Sequence, residues 1–209
     1  MNDETAQLAP PRLTFQLPGR WLTVDPRDER QAREQVDAAV RDLVGAADDA
    51  VLARRSLTAS FDRAIAAAWK AEAHALFLCF EAAPGVTLPV SLTVHAPERL
   101  RMTPAIGTSA DAVLGVLAKG LAASTAAGAE TARRLDGPRA SVLRTDREIE
   151  ELVEEDGVAV TAVRLEVDYW FAVPGSKQVV LASFATPLGE IRNAMLSFFD
   201  SIALAASFA

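Results

Sequence analysis

The residues able to do chemistry are few. Histidine occurs only at His74 and His95, one at the start of a strand-like segment and the other at the end of the next. A hairpin could bring the two rings together across its open end. Two neutral imidazoles begin a metal site, but a zinc centre needs at least a third ligand, and Glu98 is the carboxylate at hand. The bland reading is a pair of strand-end histidines. Cys79 lies in a continuously apolar run without a basic neighbour, so nothing there would depress its pKa, and it reads as a small core residue. No Gly-x-Ser-x-Gly elbow occurs for a serine nucleophile. Gly115 to Gly120 lacks the order of a phosphate loop, and Gly107-Thr108-Ser109 is at best a weak anion site. The seven carboxylates from Asp146 to Asp156 lack the order of a calcium loop and read as a solvated edge that discourages aggregation. No cofactor motif is present.

The elements that position these residues are clearest in the last third of the chain. From Val163 to Val173 every second residue is apolar, with Arg164, Glu166 and Asp168 between, which predicts a strand with one wet face. Pro174-Gly175 turns the chain, and Gln178 to Ala185 runs back as an antiparallel partner. Thr186 is expected as an N-cap with Pro187 opening a helix. Ile191, Met195, Phe198, Phe199 and Ile202 repeat along one face of that helix. Tyr169 is expected to point inward. Trp170 would point outward beside Arg164, where an exposed indole calls for a partner or for cover from the loops after Pro84 or Pro138.

Earlier in the chain, Leu13 to Leu17, Pro18-Gly19 and Trp21 to Val24 predict a short opening hairpin after a disordered leader over 1–11. Asp25-Pro26 reads as a helix start, with Val36, Val40, Leu43 and Val44 as its stripe and Gly45 as a break. A second helix is expected from about Asp48 to Glu72, with Leu57, Phe61, Ile65 and Trp69 at i+4. Ala75 to Phe80 is apolar throughout, as a central strand covered on both faces would be. Val86 to His95 alternates, and Pro89 places it near an edge or at a bulge. Ser109 or Asp111 caps a short helix through Leu117. The stretch from Gly120 to Arg134 is open between helix and mobile chain. Ala140 to Arg144 reads as a strand, Asp146 to Asp156 as strand or helix, and Asp156-Gly157 as a turn.

Charge and composition exclude several function classes. A net charge of −7 and a pI near 4.9 argue against a nucleic-acid partner or an anionic membrane surface, which call for a cationic footprint. Only Lys70, Lys119 and Lys177 are lysines, the other cations being arginine, which with abundant alanine suggests a GC-rich bacterial genome. The start has no basic segment followed by an apolar run, so no secretion signal is expected. No run approaches a membrane span of about 20 apolar residues, so no membrane insertion is expected. A single cysteine fits a reducing, cytoplasmic compartment.

The order of these elements, with the Pro18-Gly19-x-Trp21 turn, Ser183-Phe184-Ala185-Thr186-Pro187 and Phe199-Asp200, resembles the PsbP-like superfamily from Leu13 to Phe208. That resemblance implies one α+β domain over 12–209, an antiparallel sheet sandwiched by helices, with the N-terminal hairpin, a helical crossover and a C-terminal amphipathic helix. It also implies binding rather than catalysis, members being adaptors or chaperones. Without a signal peptide, the cytoplasmic effector-associated chaperones are the nearest in kind. The expectation is a non-catalytic protein-binding module, a chaperone or adaptor for a secreted or effector protein, with a protein partner or self-association and no cofactor. Its candidate partner-binding residues are Trp170, Tyr169, Arg164 and Trp21. The alternatives are a small-molecule carrier with an apolar pocket between sheet and helix, or a hydrolase-like enzyme using His74 and His95.

Overall fold

The computed structural model describes residues 12–44, 51–97, 100, 105–155 and 158–209. The expected leader over 1–11, the break at Gly45, Glu98 and the Asp156-Gly157 turn lie outside the described residues.

Two helices precede the central strands. α1 (Glu29–Val44) starts later than Asp25-Pro26 suggests. The Asp25 carboxylate accepts from the Arg27 amide in a turn at 2.9 Å. Asp28 is the residue beside the helix start, taking the Gln31 amide at 2.9 Å, which satisfies one of the orphan donors of the first turn. α2 (Val51–Lys70) follows. Ala32, Val36 and Val40 of α1 meet Leu57, Phe61, Ile65 and Ala68 of α2 in one buried cluster. Trp69 falls off this stripe and is 51% exposed, because Ala68 takes the contact position beside it.

The main sheet has seven antiparallel strands in the order β2-β3-β4-β8-β7-β6-β5. These are β2 (Arg20–Val24), β3 (Ala75–Ala83), β4 (Val86–His95), β5 (Arg133–Asp136), β6 (Ser141–Glu155), β7 (Val158–Ala172) and β8 (Val179–Thr186). The fold is α+β. The opening hairpin does not form: β1 (Leu13–Thr14) pairs with β9 (Ser207–Phe208) in a separate two-stranded sheet, and β2 pairs with β3. Two such short strands make a marginal hairpin by themselves, whereas β3 is a long apolar strand whose edge needs a partner.

Pro89 is accommodated at a bulge and not by an edge position, since β4 lies between β3 and β8. β8 pairs only with Ser91–His95 of β4, so the missing donor meets no ladder on that side. Toward β3 the register shifts between Cys79 and Glu81 and again before Ala83. The acidic segment is strand: it is the far part of β6, paired with β7 from Val142 to Glu155. The stretch left open between helix and mobile chain holds the end of α3 (Ala110–Ala122), a 3-10 turn at Ala129–Thr131 and the start of β5. Ser109 caps α3, its hydroxyl accepting from the Ala112 amide at 3.2 Å.

Helices lie on both faces of the sheet. One face sends Val90, Leu92, Val167, Tyr169, Ala182 and Phe184 against Met195, Phe199 and Ile202 of α4 (Arg192–Ala205). Those three α4 side chains contribute roughly 5–9 kcal/mol of gross burial. Thr186 does not cap α4. It ends β8, and its hydroxyl takes the Leu188 amide at 3.3 Å. A 3-10 turn at Gly189–Ile191 intervenes, so Ile191 leaves the expected apolar face and is 52% exposed. The opposite face is covered in two pieces. α1 and α2 pack on Leu76, Leu78 and Phe80 of β3, and α3 packs on Leu143, Trp170 and Val179. Among the described helices, none is long and apolar enough to cross a membrane.

Candidate functional site

Between these two covers, α2 overhangs a groove of about 430 Å³ whose floor is the sheet. Alternation alone would give each strand a wet face; register turns four of those faces into one floor. Thr93 of β4 pairs with Ser183 of β8, Ser183 with Asp168 of β7, and Asp168 with Thr145 of β6. Adjacent strands are about 4.8 Å apart, so Thr93, Ser183 and Asp168 form a polar row spanning roughly 10 Å. The Ser183 hydroxyl donates to Asp168 Oδ1, and the Thr93 hydroxyl donates to the Ser183 carbonyl at 3.4 Å. His95 Nε2 lies 3.1 Å from Thr93 Oγ1. Ala64, Ala67 and Ala68 of α2 and Ala71 just past its end form the roof.

The charges in the groove are arranged unevenly. Arg63 donates to Glu151 at 3.0 Å, Arg164 to Glu151 at 2.9 Å and to Glu166, and Arg147 to Glu166 at 2.6 Å. Each of these partly exposed pairs is worth up to about 1 kcal/mol. Among the described residues, no guanidinium bonds to Asp168. Burial pushes its carboxyl above the ordinary range; the Ser183 hydrogen bond and the field of Arg147 pull the other way without winning, and Glu166 adds to the rise. Burial pulls His95 below the ordinary imidazole value, with the Ala71 backbone opposing and His74 reinforcing.

The two histidines do come near each other, as the hairpin suggests, but only His95 lines the groove. His74 is exposed and ties the strand ends together through its amide, which donates to the Val94 carbonyl at 2.8 Å. Among the described residues, no three His, Cys, Asp or Glu side chains gather around a common point. Cys79 is on the opposite face, fully buried, and burial pushes its thiol up to about 12.

Of Trp170, Tyr169, Arg164 and Trp21, only Arg164 lines the groove. Arg164 and Trp170 are half-buried and Tyr169 is buried, so the three share no exposed face. Tyr169 is fully buried on the α4 face, with burial raising its hydroxyl above the ordinary range ahead of the effect of Asp200. Trp170 is covered, by α3 rather than by the loops after Pro84 or Pro138, and packs with Val113, Leu114 and Leu117. Trp21 donates its indole N–H to the Pro18 carbonyl at 2.7 Å, folded back on its own turn. Sequence reasoning missed Asp168, Ser183 and Thr93 as a unit. Their signal is the shared parity of polar residues in three strands, which has no meaning until the register is known.

No family model, curated protein or solved structure matches the chain significantly.

Proposed function

We propose that this chain is a non-catalytic binding module of PsbP-like architecture, acting in the cytoplasm as a chaperone or adaptor, and that it receives a segment of its protein partner in the groove beneath α2. The observation that carries this reading is the makeup of the groove: an alanine roof over a row of hydroxyl and carboxylate groups. The small roof leaves room for a polypeptide backbone, and the floor offers it hydrogen bonds. The His95 ring meets the Thr93 hydroxyl and the Ala71 backbone and, among the described residues, no carboxylate that would orient it as a base, which favours recognition over acyl transfer.

Ala67 is exposed on the roof, so Ala67→Trp fills the groove without entering the core. Co-purification from the native host should give one dominant polypeptide with the wild-type chain and lose it with Ala67→Trp. The same proteins recovered with both, or none with either, would overturn the reading. A bound small molecule displaced by Ala67→Trp, with no polypeptide, would instead make the chain a carrier.

A further inference from the structure

We infer that the group recognised at the groove floor is the ammonium of a lysine side chain on the partner segment, held by Asp168. This deepens the binding reading above and rests on it. The other charges of the groove are already held by one another. Arg63, Arg147 and Arg164 all end on Glu151 or Glu166. Asp168 accepts from the Ser183 hydroxyl. An ionised carboxylate has about four acceptor positions, and a compact ammonium with three donors fits what one hydroxyl leaves.

Burying a carboxylate without a cation is costly, and a cation from outside recovers that cost on binding. The raised proton affinity of Asp168 is the same imbalance seen from the proton's side. Arg63, Arg147 and Arg164 cannot supply the cation without leaving their glutamates. A ligand carboxylate would have to displace those glutamates as well, so an anionic group is disfavoured. The aliphatic stem of a lysine suits the roof of Ala64, Ala67, Ala68 and Ala71. The net charge of −7 steers a cationic segment toward this chain.

The test uses capped alanine pentapeptides whose central residue is lysine, Nε-acetyl-lysine, norleucine or glutamate, with n-butylammonium as a free amine. Binding is followed by the amide resonances of Ala67, Asp168 and Ser183. The lysine peptide should shift all three and bind roughly tenfold or more tightly than the acetylated and norleucine peptides. Asp168→Asn, which keeps an acceptor for Ser183, should remove that preference. Equal binding of the lysine and norleucine peptides would overturn lysine recognition, and if Ala67→Trp abolished both, the groove reading would stand. n-Butylammonium binding as tightly as the lysine peptide would overturn a polypeptide source for the ammonium. Absence of any shift with every probe would overturn the inference and count against the groove itself.

Discussion

The Tyr169 hydroxyl of β7 donates to Asp200 Oδ1 of α4 at 2.6 Å, joining residues 31 apart in the chain. The other oxygen of Asp200 accepts from Arg144 of β6 at 2.7 Å. Arg144 also lies 3.6 Å from Asp146, which Arg192 of α4 reaches from the far side. The last helix is therefore tied to the sheet by charge at two points along its length, in addition to its apolar face. Tyr169→Phe removes one hydrogen bond and leaves Asp200 with Arg144, so about 1.5 kcal/mol of stability should be lost. Asp200→Ala strands both the phenol and part of the guanidinium, and about 2–4 kcal/mol should be lost. Urea denaturation of the two variants checks the order; equal losses would show that Arg144 does not depend on Asp200.

His95 gives the fold a defined acid sensitivity. Its folded pKa is below the ordinary 6.5, so near and below that value the unfolded chain takes up the proton more readily than the folded one. Stability should fall as pH drops from 6.5 toward the lowered value, and be unaffected by this group above 6.5. Asp168, whose folded pKa is raised above 3.8, works in the opposite sense, its contribution declining as pH rises from 3.8 toward the raised value. Comparing wild type with His95→Gln isolates the imidazole. The variant should lose less stability than wild type between about pH 7.5 and 5.5, and parallel curves would refute the assignment.

Trp170 should behave as a packing residue. Its indole sits against Val113, Leu114 and Leu117, and among the described residues its buried Nε1 meets no acceptor. Trp170→Ala should cost about 2–4 kcal/mol and loosen α3. Trp170→Phe should cost clearly less, since it removes an unsatisfied donor together with the lost contacts. Hydrogen exchange across α3 is the direct measurement; unchanged protection in Trp170→Ala would mean that α3 is held without the indole.

Gly19 and Gly85 both adopt positive φ, +85° and +75°, but in different surroundings. A Cβ on Gly19 would come 2.0 Å from the Glu81 carbonyl oxygen, whereas one on Gly85 meets nothing within 4 Å. Gly85→Ala should cost about 1 kcal/mol for its backbone alone. Gly19→Ala must also push β2 off β3, and its loss should be at least about twice as large. Thermal unfolding of both variants would separate strain from crowding, and equal shifts in Tm would rule out the close approach.

Much of the frame was legible because its signals are local. The apolar run at Ala75 to Phe80, the alternation from Val86 to Val94, and the i+4 spacing of Leu57, Phe61 and Ile65 each reflect one element meeting one or two surfaces. The inward turn of Tyr169 followed from the same alternation. What covers Trp170 did not, because Val113, Leu114 and Leu117 of α3 lie more than fifty positions earlier, and nothing near the indole names them. The opening hairpin failed for a related reason. Leu13 to Val24 shows that short strands are present, but not that β1 finds a better partner in Ser207–Phe208 and β2 in β3.

The sequence by itself determined which faces of the strongly patterned strands and helices are apolar, and it carries no recognisable catalytic motif. Only the tertiary structure decided that Thr93, Ser183 and Asp168 share one row. Their register is set from the other side of the sheet, where Leu92, Phe184 and Val167 must align to pack with one another and with α4. A slip of one residue would bury the polar row and expose that core, so the groove exists in its present form because the opposite face is apolar.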